Sequence, residues 1–188
     1  MTTPAAIALG VGVALVVAAA MEPWARMLHG RVWHRRLYWV HRSHHSRRVG
    51  RFERNDALSV LHAPIAAALV MIGCNLHGAA AAVAIGIGAG MTAFGLAYVV
   101  VHDGLVHGRL PVSFLLRVRF LRRIRDAHAV HHARGAAPFG LFLGPRELTR
   151  SPRARAARPI VPPTSGRAPA APRDRRPDAA RPSAAGTR

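Results

Sequence analysis

Apolar residues gather into three long runs within the first hundred or so positions of this 188-residue chain. Residues 4–21, PAAIALGVGVALVVAAAM, carry no charge and predict a helix about 27 Å long, close to the hydrocarbon thickness of a bilayer. A second run, 57–73, reads ALSVLHAPIAAALVMIG and predicts another crossing, with His62 and Pro64 inside it. A proline kinks a helix but is tolerated in membranes. The third, 79–101, is rich in alanine and glycine; Gly86, Gly88, Gly90 and Gly95 suit close helix packing. The short uncharged link CNLHG (74–78) fits an external loop. Residues 110–127 alternate apolar and arginine positions too densely to cross a bilayer and predict an interfacial helix. From 151 onward arginine, proline and alanine dominate, which cannot bury a core and predicts a disordered basic tail. The expectation is an all-α integral membrane protein with three to four transmembrane helices. Residues 1–150 form its membrane-embedded domain, and 151–188 the tail.

Charge sharpens this plan. The formal net charge is +19, and every basic residue is arginine. Nine arginines lie in 26–54, nine in 109–150 and nine in 153–188, with none in 1–25 or 55–108. Such segregation argues against a soluble domain and against a nucleic-acid footprint. It fits the positive-inside rule: three crossings with the N-terminus outside put both inner arginine blocks, and the tail, on the cytoplasmic face of the cytoplasmic membrane. A cleaved signal peptide would need a positive segment before the first apolar run, whereas Arg26 is the first arginine; a retained anchor is expected. Cys74 is the single cysteine, so there is neither a disulfide framework nor a thiolate metal site.

Ten of the twelve histidines fall into four clusters. His29 and His34 form H-x4-H, and His41, His44 and His45 form H-x2-HH. The same spacings recur in His102 and His107, followed by His128, His131 and His132. Each pair of clusters follows a predicted membrane helix. Positions i, i+3 and i+4 share a helix face, so each H-x2-HH is expected to present three imidazoles side by side. Positions i and i+5 lie about 140° apart on a regular helix. The H-x4-H pairs therefore require a helix end, a π-bulge (Gly104 supplies a possible irregularity) or ligation of two different metals. His62 and His77 stand alone and read as ordinary hydrogen-bonding residues.

Imidazole suits zinc, copper, iron and nickel. Structural zinc takes four ligands and usually includes thiolates. Ten imidazoles are too many for one tetrahedral site and suit two metals with about five each. Zinc cannot change oxidation state, so iron is favoured for redox chemistry.

The stretches HGRVWH and HRSHHSRR, FERNDAL, HDGLVH and AHAVHHA resemble the membrane fatty acid hydroxylase (sterol desaturase) superfamily, and within it the bacterial-type β-carotene 3-hydroxylases. The resemblance covers roughly residues 20–143. It implies an O2-dependent non-haem di-iron monooxygenase that hydroxylates the β-ionone rings of β-carotene to β-cryptoxanthin and zeaxanthin. Two iron ions held by the ten clustered histidines, O2 as co-substrate and electrons from a ferredoxin-like donor are part of that implication. Asp103 is expected to orient an imidazole, a usual support for a ligating histidine; helix capping is its alternative role. Asn55 and Asp56 also match the family, without an assigned role. The loop after the last histidine, HHARGAAPFGLFLGP, is a few residues shorter than the family's and is expected to border the substrate entrance. Arg47, Arg48 and Arg122 are candidates for docking an acidic electron carrier, beside their role in topology and lipid contact. The competing functions are the same chemistry on a sterol or fatty acyl chain, carotenoid ketolation, and a non-enzymatic membrane metal-binding protein. A carrier would place its ligands at midmembrane, not after the helices.

Overall fold

The structure is a computed structural model that describes residues 2–46 and 52–150. The predicted tail 151–188 and the arginines Arg47 and Arg48 lie outside the described residues. Among the described residues every regular element is helical. In chain order the α-helices are α1 (Thr3–Leu28), α2 (Tyr38–His41), α3 (Asp56–Ser59), α4 (Ala63–Cys74), α5 (Gly78–Tyr98), α6 (Arg119–Arg134) and α7 (Gly144–Arg150). Proline stands in the first turn of both α1 and α4, where its missing N–H would have had no helical partner.

Three helical stretches are long and apolar enough to cross a membrane: Thr3–Trp33, Asp56–Cys74 (α3 and α4 joined by a turn at 60–62) and Gly78–Val106. The first contains 31 residues and the third 29. At about 1.5 Å per residue each exceeds 40 Å, roughly half as long again as a bilayer core of about 30 Å, so their last turns project beyond it. Both run further than the apolar runs 4–21 and 79–101, and the added turns carry His29 and His102. Their outer surface is lipid-like, with Leu15, Val16 and Met71 each more than two-thirds exposed.

Small residues decide how these helices meet. A methyl group on Gly86 would come 2.6 Å from the Gly10 carbonyl oxygen, and one on Gly90 would come 2.5 Å from that of Ala14. Without side chains there, α1 and α5 touch backbone to backbone. Both contacts advance in the same direction, so the two helices run parallel. Gly88 lies against Ala66 and Val70, and Gly73 against Ile85 and Ala81, which makes α4 and α5 an antiparallel hairpin. Parallel packing of α1 and α5 brings the ends bearing His29 and His102 to the same side of the bundle, in agreement with the three-crossing parity.

The predicted interfacial helix begins later than expected. A bend and a short 3-10 turn at Ser113–Arg117 come first, and α6 then runs from Arg119 through the last histidine cluster to Arg134. Gly135, at φ 62°, takes the left-handed conformation that ends α6, and its N–H bonds to the His131 carbonyl at 2.8 Å.

Candidate metal centre

The H-x4-H spacing is accommodated by a change of helix type. α1 continues as a π-helical turn over His29–Trp33, and α5 as one over Val99–Val106. The His34 N–H bonds to the His29 carbonyl, and the His107 N–H to that of His102, each at 3.0 Å. An i to i+5 bond is the mark of a π-turn, so of the three possibilities left open by the sequence the π-bulge is one the backbone adopts.

All ten clustered histidines converge in two neighbouring groups. The ligand nitrogens of His29, His34, His41, His45 and His131 lie within 4.8 Å of one another, as do those of His44, His107, His128 and His132. His102 adjoins the second group, with its Nε2 3.2 Å from that of His44. The H-x2-HH triplets do not present three rings to one place. His41 and His45 join the first group while His44 crosses to the second; His128 and His132 join the second while His131 crosses to the first. Within α6, His131 and His132 are about 100° apart around the axis and so face different groups; His44 and His45 lie in the turn that follows α2. Each half of the chain thus lends one imidazole to the other half's group.

The outward ring nitrogens have partners that set the tautomers. The Nδ1–H of His29 donates to the Phe139 carbonyl at 2.8 Å, that of His131 to the Ala136 carbonyl at 2.8 Å, and that of His41 to Asn55 Oδ1 at 2.7 Å. Asn55 is itself held by its N–H on Ser43 Oγ at 3.1 Å. His102 Nδ1 meets Asp103 Oδ1 at 2.7 Å, so Asp103 stands against an imidazole and not at a helix cap. Asn55 matched the family sequence, but only folding shows its contact with His41. With the proton on Nδ1, each Nε2 carries an inward lone pair.

These lone pairs approach closely: His29 to His41 at 3.0 Å, His128 to His132 at 2.9 Å, His41 to His45 at 3.2 Å and His44 to His132 at 3.1 Å. Bonds of about 2.1 Å meeting at right angles at one ion separate their donors by about 3.0 Å. The donor set therefore fits two metal ions. Burial, reinforced by neighbouring imidazoles, makes the rings hard to protonate. It holds His34 and His41 at about 4 and His107 and His131 at about 3, and lowers His44, His45, His128 and His132 as well. Neutral imidazole is the form that binds metal.

An ion-paired latch joins the two halves beside the groups. Arg109, just after the second π-turn, bonds Asp56 Oδ1 at 2.7 Å and also Glu53. The two outlying histidines join neither group. His62 accepts a hydrogen bond from Trp24 Nε1 at 3.0 Å, a partner 38 residues away that no local pattern could name, and His77 precedes α5.

An apolar cavity of about 360 Å³ lies between α1, α4 and α5. Its wall includes Leu28, Trp33, Phe94, Tyr98 and His62. Tyr98 stacks on His102 with ring centroids 4.5 Å apart, and Trp33 lies 5.7 Å from His29. The loop 135–143 borders the first histidine group instead of this cavity: Phe139 packs against His29, His34 and His131.

The chain is similar to known proteins over most of its described length. It is 45% identical over 143 residues to a chloroplastic β-carotene hydroxylase 2 of Capsicum annuum, covering 75% of this chain and 45% of that protein. It is 44% identical over 143 residues to β-carotene 3-hydroxylase 1 of Arabidopsis thaliana, again covering 75% of this chain and 45% of the relative. The chain thus spans less than half the length of these plant relatives. With the β-carotene hydroxylase of Pantoea ananas it shares 37% identity over 141 residues, 71% of this chain and 76% of that protein. No solved structure matches. The fatty acid hydroxylase family matches residues 14–145, a stretch that holds every clustered histidine, and this chain belongs to that family, whose membership together with the paired imidazole groups points to a metal centre in a membrane protein.

Proposed function

We propose that this protein hydroxylates the β-ionone rings of β-carotene, giving β-cryptoxanthin and then zeaxanthin, with O2 and a di-iron centre held by the ten clustered histidines. The observation that carries the reading is the apolar cavity set one aromatic ring away from both imidazole groups, through Trp33 and Tyr98. Names of the relatives, all β-carotene hydroxylases, supply the substrate class. Iron bound there would supply the oxidising power to activate O2 toward a C–H bond.

The protein's own share is positioning. Leu28, Leu58, Ala66, Met91 and Phe94 line a cavity suited to one ring of a hydrocarbon dissolved in the bilayer. Trp33 and Tyr98 close its inner end and keep water from the reacting carbon. Asp103, Asn55 and the Phe139 and Ala136 carbonyls orient the imidazoles through Nδ1. The arginine blocks support a topology with the histidine groups and the C-terminal tail on the cytoplasmic side of the cytoplasmic membrane. There Arg122, exposed on α6, is available to an acidic, ferredoxin-like electron donor.

Expression in a β-carotene-accumulating bacterium, followed by chromatography of the pigments, tests the proposal. Zeaxanthin and β-cryptoxanthin are expected. Unaltered carotene beside well-expressed, iron-loaded protein would overturn it, and a ring ketone would transfer the activity to ketolation.

A further inference from the structure

The segment between α6 and α7, residues 136–143, has the sequence AAPFGLFL and carries no charge. Nothing in that composition favours lying over polar imidazoles, yet its carbonyls at Ala136 and Phe139 receive the Nδ1–H groups of His131 and His29. Two carboxylates account for its position. Glu147, in the first turn of α7, folds back: its Oε2 accepts the Phe139 N–H at 3.1 Å and its Oε1 the Gly140 N–H at 3.0 Å. Glu22, buried in α1, accepts the Leu143 N–H at 2.8 Å. Arg26 Nε pairs with Glu147 Oε1 at 2.6 Å.

The fit is tight. A methyl group on Gly140 would stand 2.7 Å from Glu147 Oε1 and 2.9 Å from Glu22 Oε1, and one on Gly30 would meet the Phe139 ring at 2.8 Å. Glu22, Arg26, His29 and Gly30 follow one another at helical spacing along one face of α1 and the π-turn that continues it. One surface of that helix therefore presents a carboxylate, an arginine, an imidazole and a notch to the same strap. Among the described residues the second histidine group has no such strap: the acceptor for His102 is its neighbour Asp103.

We propose that Glu147 is a positioning residue for the first metal position, acting with Glu22 to clamp the 136–143 strap so that its carbonyls hold His29 and His131 in their ligating orientation. This rests on the reading of the histidine groups as a dimetal centre. A peptide N–H held on each side of the Phe139 carbonyl leaves that carbonyl little freedom to turn, so the imidazole it receives is fixed in tautomer and in direction. Loss of such an outer partner costs about 10–100-fold in metal affinity, and here the loss falls on one position of two.

The test uses the full chain, purified in detergent and loaded anaerobically with ferrous iron, with iron per chain and the rate of release to a chelator as readouts. Wild type is expected to hold two irons. Glu147→Ala and Gly140→Ala are each expected to keep one tightly bound iron and to release the other about 10–100-fold faster, at unchanged helical content. Arg26→Gln, which spares both amide acceptors, is expected to keep two. Two firmly held irons in both strap variants would overturn the inference and leave the dimetal reading intact. Equal loss from both positions, or loss in Arg26→Gln matching that in Glu147→Ala, would also overturn it. Iron absent from wild type would overturn the dimetal reading itself.

Discussion

Behind the first histidine group, each outer partner is a neutral oxygen: two backbone carbonyls and the Asn55 amide. Behind the second, His102 meets the carboxylate of Asp103. The supports also differ in reach. Phe139 lies 110 residues from His29, whereas Asp103 is adjacent in sequence to its imidazole. Both kinds of acceptor fix a tautomer, but a carboxylate also makes its imidazole a stronger donor. Near-identical histidine spacing therefore leaves two unequal groups, one backed by neutral oxygens of which the Phe139 carbonyl comes from a distant segment, the other backed by a carboxylate on the next residue.

The largest effect should come from the crossing imidazoles. His44→Ala and His131→Ala each remove a proposed ligand contributed by the opposite half of the chain, and pigment analysis should find hydroxylation abolished with the protein still in the membrane. Full activity in either would end the ligand assignment. Next come the outer partners. Asp103→Asn and Asn55→Ala should each lower metal affinity about 10–100-fold, and only Asp103→Asn should bring the two positions closer in character. Mössbauer spectra that show equivalent irons in wild type would break the comparison.

Acid should act on both groups. An imidazole in the unfolded chain takes a proton near 6.5, while folded His34 and His41 resist until about 4. Between those values the unfolded state binds more protons, so stability of the metal-free protein is present above about 6.5 and falls as pH drops toward 4. Thermal unfolding of the metal-free protein at pH 7.5, 6 and 5 should show a falling midpoint; a constant one would contradict the burial argument. Gly86→Leu should cost about 1–3 kcal/mol by forcing α1 from α5, read as a lower midpoint with both irons loosened together. Deleting 151–188 should leave pigment conversion nearly unchanged, and an inactive, well-expressed truncation would show that the tail serves the reaction.

Much of this was legible in the chain. Uncharged runs of bilayer length located the three helical stretches able to cross a membrane, and repeated histidine spacing located the ten clustered imidazoles. Local periodicity could not show that α1 and α5 continue as π-turns, because the choice of hydrogen-bond register depends on where the rings must point. Nor could it divide the H-x2-HH triplets, since helical spacing tells which residues are neighbours and not which of two destinations each one faces. Asn55, Glu22 and Glu147 were hidden for a third reason: each acts on backbone or ring atoms that only tertiary packing brings near. Trp24 on His62 is the same case at smaller scale.

The exchange of His44 and His131 has a bearing on biogenesis. Translation delivers the N-terminal half first, with four of the five imidazoles of one group and one belonging to the other. Under the proposed ligand set, the first group stays incomplete until His131 is made and the second until His132 is made, however long the early helices have been settled in lipid. Iron captured sooner would sit in a partial set of donors, open on one side, and could leave again. On the proposed di-iron reading, both ions would be locked in late in synthesis, and a chain terminated before His131 would hold neither firmly.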